Sequence, residues 1–445
     1  MIIINSDKKN IIIFGPNKVS QLGIGHNEDV TYPQEINSFK NKEIINVYEA
    51  ENHSLISTNK GLYWCGHCTK LPIPKFIINT YDIYQGTSIR KKIIFKQNLG
   101  TLKTLCIGGK YCLLLTDRGL FSFGIKSFDL SELKYSYFYH RAHQIFLFEK
   151  KKILSLSPAG EYCVIQTENS LYLIQYDNYR QYFFNKKEFS FFKNKNITKV
   201  AARNFLYSGF YCLVAIDDLH LYTISFPSNT KIDVLTNRNS NRNAKHYVTD
   251  NTINDPLIEK IPFFFDQIII DFSVGRDHNL ILTEDSLYSF GNNDCGQLAI
   301  KKKESFFYKI LKNLNSFENQ DSNSTTKIHR IDFFDNKKVL QFSAQNKCSI
   351  VLTDEGLYCW GNNENGNIGA GNLKKIDVPT KHSYFYDINP NFLSLPNYEY
   401  YLQTIRYTKI TLILLARKFE EECLFYKDFF PLDVFKYIIL NFIYK

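Results

Sequence analysis

Short apolar strands separated by polar turns recur along this chain in a fixed order. A six-residue motif, the recurring phrase of this chain, begins with a turn residue, followed by Leu or Ile and then by an aromatic residue or Ile. It occurs seven times: NIIIFG (10–15), GLYWCG (61–66), GLFSFG (119–124), SLYLIQ (170–175), HLYTIS (220–225), SLYSFG (286–291) and GLYCWG (356–361). The third positions of successive copies are 51, 58, 51, 50, 66 and 70 residues apart. Spacing of about 50 residues predicts a repeat architecture with one four-stranded unit per copy.

A second apolar segment, closed by a polar turn, precedes six of the copies, at 51–60, 109–118, 160–169, 209–218, 276–285 and 346–355. This order of β-forming residues around a turn predicts hairpins. The N-terminal residues MIIINSDKKN supply the same strand for the first copy. The chain therefore begins in the second half of a unit whose first half should lie near position 380, and such a ring hides its sheet edges.

Three loops extend the repeat: IFGPNKVSQLGIGHNEDVTYPQEI (13–36), SFGNNDCGQLA (289–299) and CWGNNENGNIGAGN (359–372). They resemble the repeat of the regulator of chromosome condensation family. Residues 125–230 keep the hairpins but lose the G-x-N-x-x-G-Q-L-G loop. The resemblance implies an all-β fold, a seven-bladed β-propeller over residues 1–390, closed by the N-terminal strand.

The segment 391–445 differs in kind, because its apolar residues recur at helical spacing in PLDVFKYIILNFIYK (431–445). We expect a short α-helical tail here, with the proline in its first turn. The stretch FFPLDVFKYIILNFI resembles the opening of an F-box motif, which would dock a ubiquitin-ligase adaptor. The candidate docking residues are Phe430, Pro431, Val434, Phe435 and Ile438. The alternative is a helical hairpin that packs on the propeller.

Composition narrows the class of protein. No apolar run approaches the roughly 18 residues of a membrane helix, and MIII lacks the basic flank of a secretory signal. We therefore expect a cytoplasmic or nuclear protein without membrane contact. The formal net charge of +10 can attract nucleic acid or acidic proteins. The alternative explanation is the general bias of the chain towards Lys, Asn, Ile, Phe and Tyr.

Two polar, Asn-rich stretches, 227–256 and 313–327, account for the two longest spacings. We expect surface loops in both places. They are either partner-contacting insertions on one face or tolerated low-complexity expansions.

The sequence WCGHC (64–68) matches the motif of disulfide isomerases. Pro72 and Pro74 follow it and break the helix that would favour a thiolate, so we interpret the match as coincidence. The ten cysteines are predicted to be free thiols. Neither a phosphate loop nor a zinc-protease motif is present, and we predict no catalytic residues, metal or cofactor. The glycines of the repeat loops are predicted to adopt positive φ: Gly23, Gly25, Gly366, Gly369 and Gly371.

These features favour a monomeric, non-catalytic protein-interaction platform. The family resemblance leaves a second function open, that of a guanine-nucleotide exchange factor for a Ran-like small GTPase. The tail leaves a third, a substrate receptor that binds a ubiquitin-ligase adaptor. Because the first strand begins at Met1, we expect no basic tail for histones or DNA and do not predict nucleic-acid binding.

Overall fold

The computed structural model describes most of the first 395 residues. The residues outside the description are 7–8, 37–38, 40–41, 51–52, 67–90, 93–97, 109–110, 125–141, 178–181, 206–208, 218, 226–256, 265–266, 301–323, 346 and 396–445. Met1–Asn397 form one compact unit, and the predicted helical tail lies outside the described residues.

Seven antiparallel sheets of four strands each make up the described part of the chain. Strands are lettered A to D within each sheet, in the order in which they pair, and the sheets are called blades 1 to 7. In blades 1 to 7, strand A spans Leu393–Ser394, Ile44–Glu49, Leu102–Ile107, Ile153–Ala159, Ile197–Phe205, Ile269–Val274 and Val339–Gln345. Strand B spans Ile2–Asn5, His53–Thr58, Tyr111–Thr116, Tyr162–Thr167, Gly209–Ile216, His278–Thr283 and Cys348–Thr353.

The outer half of each blade consists of the remaining two strands. Strand C spans Asn10–Gly15, Gly61–Gly66, Gly119–Gly124, Leu171–Asp177, His220–Ser225, Leu287–Asn292 and Gly356–Gly361. Strand D spans Val30–Ile36, Lys91–Lys92, His143–Gln144, Tyr182–Glu188, Leu257–Lys260, Ser324–Arg330 and Ile376–Lys381. All seven copies of the recurring phrase lie on strand C, which confirms the predicted repeat.

A strand from the far end of the chain closes the ring. Ile4 pairs with Ser394 and Asn5 with Leu393, while strands A of blades 2 to 7 contact one another in succession. This confirms the seven-bladed propeller and its closure by the N-terminal strand. The closing strand does not lie near position 380, because Ile376–Lys381 are already strand D of blade 7. It lies at 393–394, just beyond the boundary predicted at 390.

The hydrophobic core lies between blades rather than inside a single layer. Between blades 5 and 6, for example, Leu213, Phe264, Phe272 and Tyr288 pack together, and each is less than a tenth exposed. Strands B and C have both faces covered by neighbouring blades. They are therefore buried along their length, as in strand B of blade 6 and strand C of blade 7. Removing a blade would therefore expose the core of two others.

Alternation of strand direction gives the propeller two distinct faces. One face, called the turn face, carries the turns between strands B and C and the connections from strand D to the next strand A. The turns between strands A and B and the loops between strands C and D lie on the other, called the loop face. The predicted insertion at 227–256 belongs to a loop-face connection, since Ser225 and Leu257, its flanking strand ends, pair with each other.

The second predicted insertion ends earlier than expected. Residues 324–327 begin strand D of blade 6 and pair with strand C, where Gly291 is opposite Thr325. The prediction of a loop up to residue 327 was wrong here, because strand C needs an outer partner and the Ser-Thr-Thr sequence can adopt the extended conformation.

Short 3-10 turns follow strand D on the turn face. They span Phe146–Phe148, Ser190–Phe192, Pro262–Phe264, Asp332–Phe334 and Ser383–Phe385, and a further one at Pro390–Phe392 precedes the closing strand. The first five each end on a buried phenylalanine. These turns place aromatic side chains at the junctions between blades.

Candidate functional site

One asparagine closes the loop that distinguishes the three clearest repeats. Its side-chain oxygen accepts a hydrogen bond from the backbone N–H five residues later, at 2.9 Å in all three loops. The pairs are Asn17 with Leu22, Asn293 with Leu298, and Asn363 with Ile368. A side-chain oxygen in this place satisfies a backbone donor that the turn itself leaves unpaired. The asparagine of the motif therefore has a structural role.

The same loops fasten one blade to the next. The backbone carbonyl of Gln21 in blade 1 accepts hydrogen bonds from Ser54 Oγ at 3.0 Å and Cys65 Sγ at 3.2 Å in blade 2. The equivalent carbonyl, that of Gln297, accepts from Ser349 Oγ and Trp360 Nε1, both at 2.9 Å. The polar residues of the repeat are thus used to join blades.

Histidine and cysteine share one sequence position in different blades, the first residue of strand B, represented by His53, His278 and Cys348. All three side chains are buried, and His278 Nε2 lies 2.8 Å from Ser349 Oγ of the next blade. Burial lowers the pKa of both histidines to about 3, with Arg203 contributing at His278, and raises the pKa of Cys348 to about 12. At neutral pH these imidazoles are uncharged and the thiol is protonated, so they do not supply a general acid or a thiolate.

The first cysteine of the WCGHC segment is also a packing residue. Cys65 is 1% exposed, lies in strand C of blade 2, and points its thiol at the Gln21 carbonyl. His67 and Cys68 lie outside the described residues. A thiol that is buried between blades cannot reach a substrate disulfide, which supports the interpretation of the motif as coincidence.

Exposed apolar side chains gather instead on the turn face. The middle residue of the 3-10 turn is exposed in four consecutive junctions, although the phenylalanine after it is buried. The exposed fractions are 39% for Leu147, 39% for Phe191, 50% for Phe263 and 46% for Phe333. Phe146, next to the first of them, is 63% exposed. Four equivalent positions leave an apolar side chain in water, which distinguishes this arc from scattered surface residues.

Behind each exposed residue lies an aromatic cluster that joins two blades. The buried phenylalanine of the turn packs edge-on against the aromatic residue of strand C in the following blade. Ring centroids are 5.4 Å apart for Phe148 and Tyr172, 6.0 Å for Phe192 and Tyr222, 5.4 Å for Phe264 and Tyr288, and 5.7 Å for Phe334 and Tyr358. The recurring aromatic of strand C is therefore the anchor of the turn face.

A lysine three residues after the buried phenylalanine completes this cluster in four blades. Its Nζ lies over an aromatic ring at a distance typical of cation–π contacts. The distances to the ring centroid are 5.6 Å from Lys42 to Phe39, 5.1 Å from Lys151 to Tyr172, 3.4 Å from Lys195 to Phe191 and 5.5 Å from Lys337 to Phe333. In blade 6 the lysine is replaced by Gln267, whose Nε2 donates to the Tyr288 hydroxyl at 3.3 Å.

The charge at these clusters differs between blades. In blade 7, Lys337 Nζ lies 2.6 Å from Glu355 Oε2, and this hydrogen bond raises the lysine pKa and lowers that of the carboxyl. In blade 4, Lys151 and Lys186 share the Tyr172 ring, at 5.1 Å and 4.9 Å from its centroid. The same architecture therefore presents a neutralised lysine in one place and two adjacent lysines in another.

The docking residues predicted in the tail, Phe430, Pro431, Val434, Phe435 and Ile438, all lie outside the described residues. The sequence analysis did not identify the turn face as a candidate site. The signal was present, because phenylalanine and lysine recur three residues apart at 39–42, 148–151, 192–195 and 334–337. Only the fold shows that these pairs occupy equivalent positions.

The described residues contain no group of three or more His, Cys, Asp or Glu side chains placed to hold a metal ion. Within the same residues, none of the helices is both long and apolar enough to cross a membrane.

Comparison with known proteins identifies the repeat. Residues 10–56 and 269–297 match the Regulator of chromosome condensation (RCC1) repeat. The human X-linked retinitis pigmentosa GTPase regulator is 32% identical over 108 residues, which are 24% of this chain and 9% of that protein. The human RCC1-like G exchanging factor-like protein is 30% identical over 115 residues, 25% of this chain and 22% of the relative. The chain thus matches less than a quarter of the length of these relatives.

Solved structures show the same fold over most of the chain. Prp20p from Saccharomyces cerevisiae has a TM-score of 0.58 at 17% identity and covers 86% of this chain and 87% of its own. Human WBSCR16 has a TM-score of 0.56 at 14% identity, covering 86% of this chain and 94% of its own. The resemblance to the repeat that was inferred from the sequence is confirmed by the repeat matches, and the shared fold confirms the propeller.

Proposed function

We propose that this chain, which carries regulator of chromosome condensation repeats on a seven-bladed propeller, is a non-catalytic platform that binds a protein partner through its turn face. The observation that carries the proposal is the exposed apolar residue at the same place in four consecutive junctions, Leu147, Phe191, Phe263 and Phe333. Aromatic side chains held rigidly on a scaffold are the usual anchors of protein interfaces.

The buried chemistry of the repeats supports a role without catalysis. The histidines of strand B stay uncharged, and the Cys65 thiol is held between blades. Candidate nucleophiles and bases are thus used for packing, whereas the exposed face is apolar and basic. This distribution suits binding better than bond-making chemistry.

A second function, regulation of nucleotide exchange on a Ran-like GTPase, is favoured by the relatives. One is named a GTPase regulator and another a G exchanging factor-like protein. Prp20p is described with binding properties to Gsp1p and histones. The chain matches only short parts of the first two proteins and shares only the fold with the third. Nucleotide exchange is therefore proposed as a more specific version of the platform function.

One experiment separates the two functions. A Ran-type GTPase loaded with fluorescent GDP is mixed with the full chain, and both complex formation and GDP release are measured. Binding without faster release supports a platform, and faster release supports an exchange factor. Absence of both excludes this GTPase as the partner.

Variants assign the binding face. Replacing Phe191, Phe263 and Phe333 together by serine should weaken binding of any partner of the turn face at least tenfold. The control is Leu373→Ser, which changes a residue 54% exposed on the loop face. If the control variant loses binding and the triple variant keeps it, the turn face is not the platform.

The tail carries a third proposal, docking of a ubiquitin-ligase adaptor through Phe430, Pro431, Val434, Phe435 and Ile438. It is supported by the sequence pattern alone. Pull-down of a purified adaptor by the full chain should disappear when residues 425–445 are removed and when Phe435 is replaced by serine. An adaptor that binds equally well to both variants would exclude this role.

A further inference from the structure

The part of the turn face formed by blades 4 and 5 differs from the rest in charge. Three exposed apolar residues, Phe146, Leu147 and Phe191, are accompanied by lysines at 150, 151, 186, 193 and 195. We call these eight residues the blade 4–5 patch. Their turns are linked, because Lys186 Nζ, on strand D of blade 4, donates to the Leu147 carbonyl at 2.9 Å.

The lysines of this patch outnumber its carboxylates. Glu149 lies beside the first turn and Glu188 ends strand D, which leaves five lysines with two acidic neighbours. Lys152, just outside the patch, is already paired with Glu168 at 2.7 Å. The excess of positive charge therefore belongs to the patch.

Two of these lysines lie close enough for the charge of Lys151 to act on Lys186. Partial burial, and then the nearby charge of Lys151, lower the pKa of Lys186. Burial alone would raise the pKa of Glu188, yet its polar neighbours Ser170 and Tyr172 and the charges of Lys193 and Lys151 leave it lowered. The one carboxylate between the two turns is thus already engaged, and a further anion would be stabilised there.

Blade 7 provides the comparison inside the same molecule. Its exposed Phe333 and its Lys337 have the positions of Phe191 and Lys195, but Glu355 neutralises the lysine at 2.6 Å. In blade 6, Phe263 has a glutamine, Gln267, in place of the lysine. Apolar exposure is common to these four junctions, whereas only the turns flanking blade 4 combine it with five lysines around two carboxylates among the described residues.

We propose that the blade 4–5 patch binds an acidic linear segment of a partner protein. Carboxylates of the segment would lie over Lys151 and Lys186, and an apolar side chain would pack against Leu147 and Phe191. The inference deepens the proposed platform function, on which it rests, by naming the surface and the chemistry of the partner. The apolar anchors distinguish such a peptide from a polyanion, which would need the lysines alone.

The test uses the full chain and a fluorescein-labelled peptide of glutamate and aspartate residues around two phenylalanines. Fluorescence anisotropy should show saturable binding that weakens with added salt. Replacing the acidic residues by Gln and Asn, or the phenylalanines by Ala, should each weaken binding at least tenfold. Equal binding of the neutral peptide would overturn the proposal.

Matched charge reversals locate the site. Lys151→Glu with Lys186→Glu should weaken the peptide at least tenfold, whereas Lys337→Glu in blade 7 should change it less than twofold. If thermal unfolding shows that Lys186→Glu disturbs folding, the double variant Lys150→Glu with Lys151→Glu replaces it. Equal loss in blades 4 and 7 would contradict a specific patch.

Two further arms separate the remaining outcomes. A single-stranded RNA that displaces the peptide, and whose affinity is unchanged by Phe191→Ser, would show a polyanion site and overturn the proposal. The GTPase assay is run on the same variants. Peptide binding without GTPase binding would support the patch and exclude the GTPase as the partner. GTPase binding without peptide binding would support that partner and overturn the patch.

Discussion

At the scale of single residues, two glycines with similar backbone conformations should respond differently to substitution. Gly361 has φ +109° and Gly25 has φ +99°, both unfavourable for alanine. A Cβ on Gly361 would lie 2.4 Å from the Lys347 carbonyl oxygen and 2.7 Å from the Cys348 Cα, whereas one on Gly25 would meet nothing within 4 Å. Gly25→Ala should therefore cost only the conformational strain, about 1–3 kcal/mol. Gly361→Ala should cost more, seen as a lower urea midpoint, and an equal loss in both variants would contradict this account.

A second prediction at this scale concerns acid. The pKa of His278 is about 3 in the fold and 6.5 in the unfolded chain, so below pH 6.5 the unfolded state binds a proton that the folded state does not. Its contribution to stability is complete above pH 6.5 and is lost as the pH falls towards 3. His278→Cys, the residue that blade 7 carries at this position, should reduce the slope of unfolding free energy against pH by about 1.4 kcal/mol per pH unit.

Urea unfolding between pH 4 and 7 measures this slope. Ser349→Ala is the control, because it removes the hydrogen-bond partner of His278 but keeps the imidazole buried. It should lower stability at pH 7 while leaving the slope in place. A slope that is the same in His278→Cys and in the wild type would show that this imidazole does not control acid stability.

At the residue scale, the sequence correctly predicted which loop glycines adopt positive φ, because this property depends on the local backbone. Gly23, Gly25, Gly366, Gly369 and Gly371 all have positive φ, as the repeat loops predicted. The sequence did not show which glycines face another segment closely, such as Gly361 against Lys347. That distinction depends on the neighbouring strand, which is set by register rather than by the glycine itself.

At the scale of the element, the repeat loop of blade 7 should depend on its buried asparagine. Asn363 is 0% exposed, accepts from the Ile368 N–H at 2.9 Å and donates to the Asn372 carbonyl at 2.7 Å. Asn363→Ala leaves both backbone groups unpaired, at a cost of about 1–3 kcal/mol for each buried group. Asn365→Ala, at an exposed position of the same loop, is the control and should cost less than about 0.5 kcal/mol.

Thermal unfolding and hydrogen exchange at Ile368 measure both effects. Faster exchange in Asn363→Ala alone would confirm that the side chain closes the loop. Similar melting of both variants would show that the loop is held by other contacts.

The elements themselves were predicted unevenly. Strands B and C were found because each is about six residues long, is rich in apolar residues and is bounded by turns. Strand D was not assigned from the sequence, and in blades 2 and 3 the described residues place it at Lys91–Lys92 and His143–Gln144. Two polar residues carry no periodicity, and they pair because strand C presents an open edge. The turn-face clusters were missed for a related reason, since each combines residues from two blades.

At the scale of the whole molecule, a few residues near position 393 close the propeller ring. Leu393 and Leu395 are 3% and 1% exposed, and Gln341 of blade 7 donates to the Leu393 carbonyl at 3.3 Å and accepts from the Leu395 N–H at 2.8 Å. The closing strand thus joins blade 7 to the first strand of the chain. The sequence predicted this closure from the missing half-unit, but it could not place so short a strand.

Two truncations test the closure. A chain ending at 390 loses both buried leucines and the partner of Ile4 and Asn5, whereas a chain ending at 397 keeps them. Because loss of a buried leucine side chain costs about 2–5 kcal/mol, the shorter chain should be at least about 4 kcal/mol less stable than the longer one. Limited proteolysis should then cleave it first in blade 1, where strand B has lost its inner neighbour. If both chains melt together, the pairing at Leu393–Ser394 does not close the propeller, and the ring must be held by the contacts between blades alone.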